Sequence, residues 1–173
     1  MASALTMAAP AAFADDTSAV GTMSVADCTA ADVRVVELNR EGAAGNVYID
    51  LLIVKLPPQN PYADEACVMY GELAQMYWGD DQGDRIGGTA EQDGDAVTPF
   101  GLFPGDEARV TITRPNPENF NAAECEPTEV GGAYLSFVND DETVYVPTDG
   151  RDRVCANPDL GAPRISAITP AGA

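Results

Sequence analysis

The four cysteines constrain this chain most. Cys28, Cys67, Cys125 and Cys155 are spread across the sequence with no Cys-x-x-Cys among them. They follow Ala12-Phe13-Ala14, a small-x-small pattern of the kind signal peptidase cuts, and the acidic pair Asp15-Asp16. An even cysteine count in an exported chain predicts two structural disulfides and no reactive thiol. Such wide spacing does not suit zinc binding or thiolate redox work. Four cysteines allow three pairings.

The segment around this site reads as a signal-peptide remnant over residues 1–14, followed by a flexible lead-in over 15–27 and one domain over 28–173. Ala4 to Ala9 reads as the end of an apolar h-region, but no Lys or Arg precedes it. Either the true start lies upstream or the segment is a remnant. No run approaches the roughly 18 apolar residues of a membrane span. The residues before Cys28 are Val25-Ala26-Asp27, which make no lipidation site. Secretion or residence in the cell envelope, as a monomer, is the expectation.

Charge narrows the partners. There are 28 acidic residues against 9 basic ones, a formal net charge of -19, and the one lysine is Lys55. Such a surface repels phosphate backbones and anionic lipid heads, which argues against nucleic acid and acidic membranes as partners. Apolar residues make up 45% of the chain, enough to bury a core.

The hydrophobic period is two wherever it is regular, and no segment sustains a 3.6-residue repeat. Val33 to Leu38 reads as a strand whose phase slips between Val35 and Val36, predicting a bulge there. Val47, Ile49, Leu51 and Ile53 alternate with Tyr48, Asp50, Leu52 and Val54, a strong strand signal whose later half reads as buried on both faces. Prolines 57, 58 and 61 end that pairing. A strand from Cys67 to Trp78 is broken near Gly71, and Asp80 to Asp84 is a turn. The glycine-rich, acidic stretch 87–96 reads as a mobile loop. Residues 97–102 are weakly extended and Phe103-Pro104-Gly105-Asp106 is a turn. Ala108 to Thr113 is a half-buried strand, and 115–127 a long loop. Ala133 to Val138 and Thr143 to Val146 form a hairpin. A last strand spans Arg164 to Thr169. About eight or nine short strands between turn clusters predict an antiparallel β-sandwich.

Candidate chemistry is sparse. Without histidine there is no Ser-His-Asp or Cys-His nucleophile and no imidazole metal site. Carboxylate catalysis needs two Asp or Glu facing each other across a cleft at about 5 to 9.5 Å, one of them in apolar surroundings. Only Asp50 and Glu72 have close apolar neighbours in sequence. Asp80, Asp81 and Asp84 around Gly83 are candidate oxygen ligands for a hard cation, but the spacing is not the Asp-x-Asp-x-Asp-Gly loop, and a solvated turn explains them. Tyr77 and Trp78 are a candidate ligand face for stacking on a glycan. Core packing of the Met69, Tyr70, Met76, Tyr77 and Trp78 cluster is the simpler explanation. Tyr134 and Tyr145 fall where a cross-strand pair would form.

The order of these marks resembles the DUF4232 family of exported actinobacterial proteins and lipoproteins without assigned activity. The resemblance rests on Cys28-Thr29-Ala30-Ala31-Asp32-Val33, the strand Val47 to Val54, Cys67-Val68-Met69-Tyr70-Gly71, Leu102-Phe103-Pro104-Gly105-Asp106-Glu107-Ala108, Cys125 and Val154-Cys155. The longer loop from Pro57 to Glu65 and Glu72-Leu73 after Gly71 depart from the family pattern, and the usual Ser/Thr/Pro linker and lipidated cysteine are missing. The resemblance implies an immunoglobulin-like sandwich, and it carries no catalytic residue to transfer. It also matches the sequential pairing Cys28–Cys67 and Cys125–Cys155, which fits the placement of each cysteine beside a returning strand. The reading is a non-catalytic interaction or structural module for a protein or an envelope glycan, without cofactor or metal. A carboxylate hydrolase is the alternative in a second class, and an inhibitor or cation-dependent adhesive protein in a third.

Overall fold

The structure is a computed structural model and describes residues 25–58, 66–95 and 97–172. The expected leader, most of the lead-in and the middle of the proline loop lie outside the described residues. The strands are β1 (Val33–Ala43), β2 (Asn46–Lys55), β3 (Cys67–Met69), β4 (Leu73–Gly79), β5 (Arg85–Thr89), β6 (Glu91–Asp93) and β7 (Phe100–Leu102). They continue with β8 (Glu107–Pro115), β9 (Pro127–Glu129), β10 (Gly132–Phe137), β11 (Thr143–Pro147), β12 (Arg153–Cys155), β13 (Arg164–Ser166) and β14 (Thr169–Pro170). One helical turn, α1 (Ala122–Cys125), and two 3-10 turns, Ala30–Asp32 and Pro117–Asn119, interrupt them.

Two main sheets enclose the core. The larger runs β1-β2-β8-β13-β6 with β14 also paired to β8, and the smaller runs β11-β10-β4-β5. Two-stranded ribbons, β9 with β12 and β3 with β7, flank them. Pairing between these strands is antiparallel except for β13 with β6, which is parallel. The larger sheet points Val33, Val35, Ile49, Leu51, Ile53, Val110, Ile112 and Ile165 inward, and the smaller points Met76, Trp78, Leu135, Phe137 and Val146. The period of two produces this, because alternate residues of a strand face opposite sides of its sheet. Complete burial of a side chain such as Phe137 or Leu51 stabilises the fold by about 1.5–3 kcal/mol. The outcome is an all-β, sandwich-like fold with two disulfides.

Several expectations change at the level of elements. The bulge lies at Leu38, where the β1–β2 register shifts between Glu37 and Asn39, and not between Val35 and Val36. Val36 simply points outward, with 36% exposure. The bulge returns Arg40 to the side of the sheet that Glu37 occupies, so an ion pair forms between residues three apart. Leu52 and Val54 are half-buried, so β2 has one buried face and not two along its later half. The stretch 87–96 is not a loop throughout, since β5 and β6 occupy most of it. Its glycines serve close approach. Gly87 has φ +75°, and a Cβ there would collide with the Cys155 carbonyl.

Both disulfides join neighbours in sequence order. Cys28–Cys67 ties the entry to β1 onto β3, where the Cys28 amide also donates to the Val68 carbonyl at 2.9 Å. Cys125–Cys155 ties α1 to β12. Lys55, the single lysine, is buried at the end of β2 with Nζ 2.9 Å from Asp32 Oδ1. Burial works against the Asp32 charge. Hydrogen bonds from Lys55 and Thr29 outweigh it and hold that carboxyl below its ordinary range.

Candidate functional site

On the outer face of the smaller sheet three tyrosines stand in one row. Tyr134 of β10 is in register with Tyr145 of β11 on one side and with Tyr77 of β4 on the other. The Tyr77 and Tyr134 rings stack with centroids 5.2 Å apart and planes 8° from parallel, and Tyr145 tilts against Tyr134 at 4.9 Å and 40°. Two glycines make room for this arrangement. Gly79 and Gly132 are cross-strand partners, and a Cβ on either would strike the ring of Tyr134 or Tyr145. The rings therefore lie down over the backbone of their own sheet. Each such aromatic pair adds about 0.5–1.5 kcal/mol beyond the area it buries.

The ladder has different ends. At the Tyr77 end the Arg85 guanidinium lies 4.8 Å from the ring centroid, a cation–π contact. At the other end Tyr145 is 39% exposed and borders a cleft of about 430 Å³. Asp80, Asp81, Glu129 and Asp149 line that cleft with the backbone of Val130 and Gly131, and none of its lining residues is basic among the described residues. Tyr134 donates to the Asp80 carbonyl at 2.8 Å and Tyr145 to Asp81 Oδ1 at 3.2 Å. Desolvation and the neighbouring aspartates push both phenols above their ordinary range, so both stay protonated donors at neutral pH.

The sequence candidates divide here. Tyr77 lies on the outer face. Trp78 does not: it is 1% exposed and points into the core, because the residue after an outward-facing one in a strand faces inward. Its Nε1 has no hydrogen-bond partner among the described residues. Asp80, Asp81 and Asp84 do not converge on one point, and no group of three His, Cys, Asp or Glu side chains arranged to hold a metal occurs among the described residues. Asp80 Oδ1 accepts the amides of Gln82 and Asp84, each at 2.9 Å, and so closes its own turn. Asp50 accepts from Thr111 Oγ1 at 2.7 Å on the outer side of the larger sheet, and Glu72 is exposed.

A second constellation had no signal in the sequence. Asp152, fully buried, accepts from Arg40 Nη1 at 2.7 Å and lies 3.0 Å from Arg114 Nε. Glu37 pairs with Arg40 at 2.7 Å and with Arg151 at 3.2 Å. The hydrogen bonds from Arg40 hold the Glu37 carboxyl below its usual range, and the same contact raises the Arg40 pKa above its usual value. Five charged groups from β1, β8 and the β11–β12 connection thus meet at one side of the sandwich. The bulge at Leu38 is what lets Glu37 and Arg40 reach it together.

No helix among the described residues is long and apolar enough to cross a membrane. The comparisons with curated proteins and with solved structures gave no match. One family profile, described as a domain of unknown function, covers residues 28–169. That span contains both disulfides, both sheets and the tyrosine ladder, and on it the chain belongs to the DUF4232 family.

Proposed function

We propose that this chain is a non-catalytic binding module of the cell exterior, and that it binds a basic segment of a partner protein across the Tyr145 end of the ladder and the acidic cleft. The observation that carries this reading is the asymmetry of the ladder. At one end a tyrosine face is already covered by a guanidinium from the same chain. At the other a tyrosine face lies open beside four carboxylates, of which Asp149 has Arg151 at 3.8 Å while Asp80, Asp81 and Glu129 have no basic partner among the described residues. Aromatic rings with a polar tip and carboxylates that need no desolvation of a buried core suit recognition of Arg or Lys. Two disulfides suit an oxidising compartment, which supports placement outside the cytosol or in the envelope. The absence of histidine and the engagement of Asp50 and Asp152 by other side chains support a role without catalysis.

Titration calorimetry with an arginine-rich decapeptide tests the reading against soluble envelope glycan fragments. Saturable binding of the peptide, weakened about tenfold by Tyr145→Ala or by Asp81→Asn with Asp149→Asn, is expected. Binding of the glycan alone, or peptide binding that ignores these substitutions, would contradict it.

A further inference from the structure

Beside the acidic cleft, where Arg153 of β12 is the cross-strand partner of Glu129 of β9, the charge reverses. A cleft of about 210 Å³ is lined by Arg114, Arg151 and Arg153, with Asn116, Pro127 and the carboxylate of Glu118. Three guanidiniums in one cleft are unexpected in a chain that carries only 9 basic residues against 28 acidic ones. The floor is rigid. Arg114 is 7% exposed, and its Nη1 donates to the Arg153 carbonyl at 2.8 Å. Arg153 Nη2 in turn donates to the Pro127 carbonyl at 3.2 Å. The Cys125–Cys155 bridge holds the end of β12 beside this cleft.

Arg114 is not fully satisfied. Its Nε lies near Asp152 Oδ1 without forming an aligned hydrogen bond, and its Nη2 has no protein acceptor among the described residues. Asp152 is also shared, since Arg40 takes its shortest contact at 2.7 Å. Two guanidiniums thus divide one buried carboxylate, and only Arg40 has a second acid, Glu37. Burial, with the neighbouring Arg40 charge, lowers the Arg114 pKa despite the attraction of Asp152. A buried charge lacking full compensation is costly, and an anion in the cleft would relieve that cost.

The geometry points to an oxyanion-binding site in this cleft, in which Arg114 and Arg153 hold a single carboxylate or phosphate group, with Arg151, whose guanidinium is already engaged by Glu37 and the Thr148 carbonyl, adding only its charge at the edge. The planar guanidinium fork matches either group through paired N–H donors. The net negative charge of the chain does not forbid it, because at physiological ionic strength screening acts over about 8 Å and the local arginines dominate within that distance.

The test is a titration of the intact, oxidised, nitrogen-15-labelled chain with sodium phosphate and, separately, sodium acetate, each against sodium chloride at matched ionic strength. Saturable shifts confined to the amides of Arg114, Asn116, Glu118, Arg151, Asp152 and Arg153 are expected with at least one of them, and the tighter of the two names the source of the group. Arg153→Gln removes an exposed charge that the core does not need and should weaken binding about tenfold, the scale of one charge-assisted hydrogen bond. Glu118→Gln removes the opposing carboxylate and should tighten it about twofold to threefold, which a purely structural arginine cluster would not do. Shifts equal to those in chloride, shifts spread over the whole surface, or unchanged affinity in both variants would overturn the site. The acidic cleft is probed separately, by a cationic peptide and by substitutions at Tyr145 and Asp81, which do not line the arginine cleft.

Discussion

Asp152 shows how a single residue can fix a region that sequence alone does not flag. It sits in a connection between two strands, among Asp149, Gly150, Arg151 and Arg153, and reads there as one more acidic turn residue. In the fold it is the one fully buried carboxylate among the described residues, and it joins β1 to β8 through Arg40 and Arg114. Asp152→Ala leaves two guanidiniums facing each other and should cost about 3–5 kcal/mol in urea unfolding, the scale for removing one partner of a buried pair. A loss under about 1 kcal/mol would show the network to be solvated. Asp32 and Glu37 set the response to acid. Both carboxyls are held below their ordinary values in the folded chain, so across that range the unfolded chain binds more protons. Their contribution is fully present above about pH 5 and is lost as pH falls through the folded values. Thermal melts from pH 6 to pH 3 should show a falling midpoint, with a shallower fall in Glu37→Gln. An identical slope in that variant would remove Glu37 from the account.

Elements with a clear period of two were legible in the sequence. The alternation of Val47 to Val54 matches β2, Ala108 to Thr113 matches the body of β8, and the hairpin matches β10 and β11 with Tyr134 opposite Tyr145. The break at Gly71 separates β3 from β4 as expected. Illegible were the strands whose shape comes from a distant neighbour. β5 contains Gly87 and Gly88, which composition assigns to a loop, yet both are needed because the segment around Cys155 and Pro158 packs onto their backbone. β9 and β12 are three residues each and are held beside the Cys125–Cys155 bridge, so no alternation could develop. Gly87→Ala tests this directly. Its positive φ and the collision with the Cys155 carbonyl should together destabilise the fold by about 1–3 kcal/mol, read as a shift of the denaturant midpoint. A neutral or stabilising effect would mean that β5 is looser against β12 than the structure has it.

The whole molecule divides its charge unevenly. Arg40, Lys55 and Arg114 are spent on internal pairs, so much of what the surface offers a partner is acidic. Against that background two clefts adjoin the β9–β12 ribbon, one lined by carboxylates beside a tyrosine ladder and one by arginines. Half of the candidate site was readable: Tyr77, Asp80 and Asp81 lie at the ladder or the cleft, whereas Glu129 and Asp149 join them only through tertiary packing. Of the candidate pair, Trp78 is packed in the core and only Tyr77, half-buried, stands on the outer face, since successive residues of a strand face opposite sides. Both clefts depend on where the chain is stapled, since Cys125–Cys155 positions the ribbon and Cys28–Cys67 fixes the entry to the larger sheet. The most direct test of this architecture is a non-reducing peptide map of the protein recovered from culture medium. The structure predicts Cys28 linked to Cys67 and Cys125 linked to Cys155, with no free thiol. A peptide joining Cys28 to Cys155, or Cys67 to Cys125, would contradict the strand arrangement and both clefts with it.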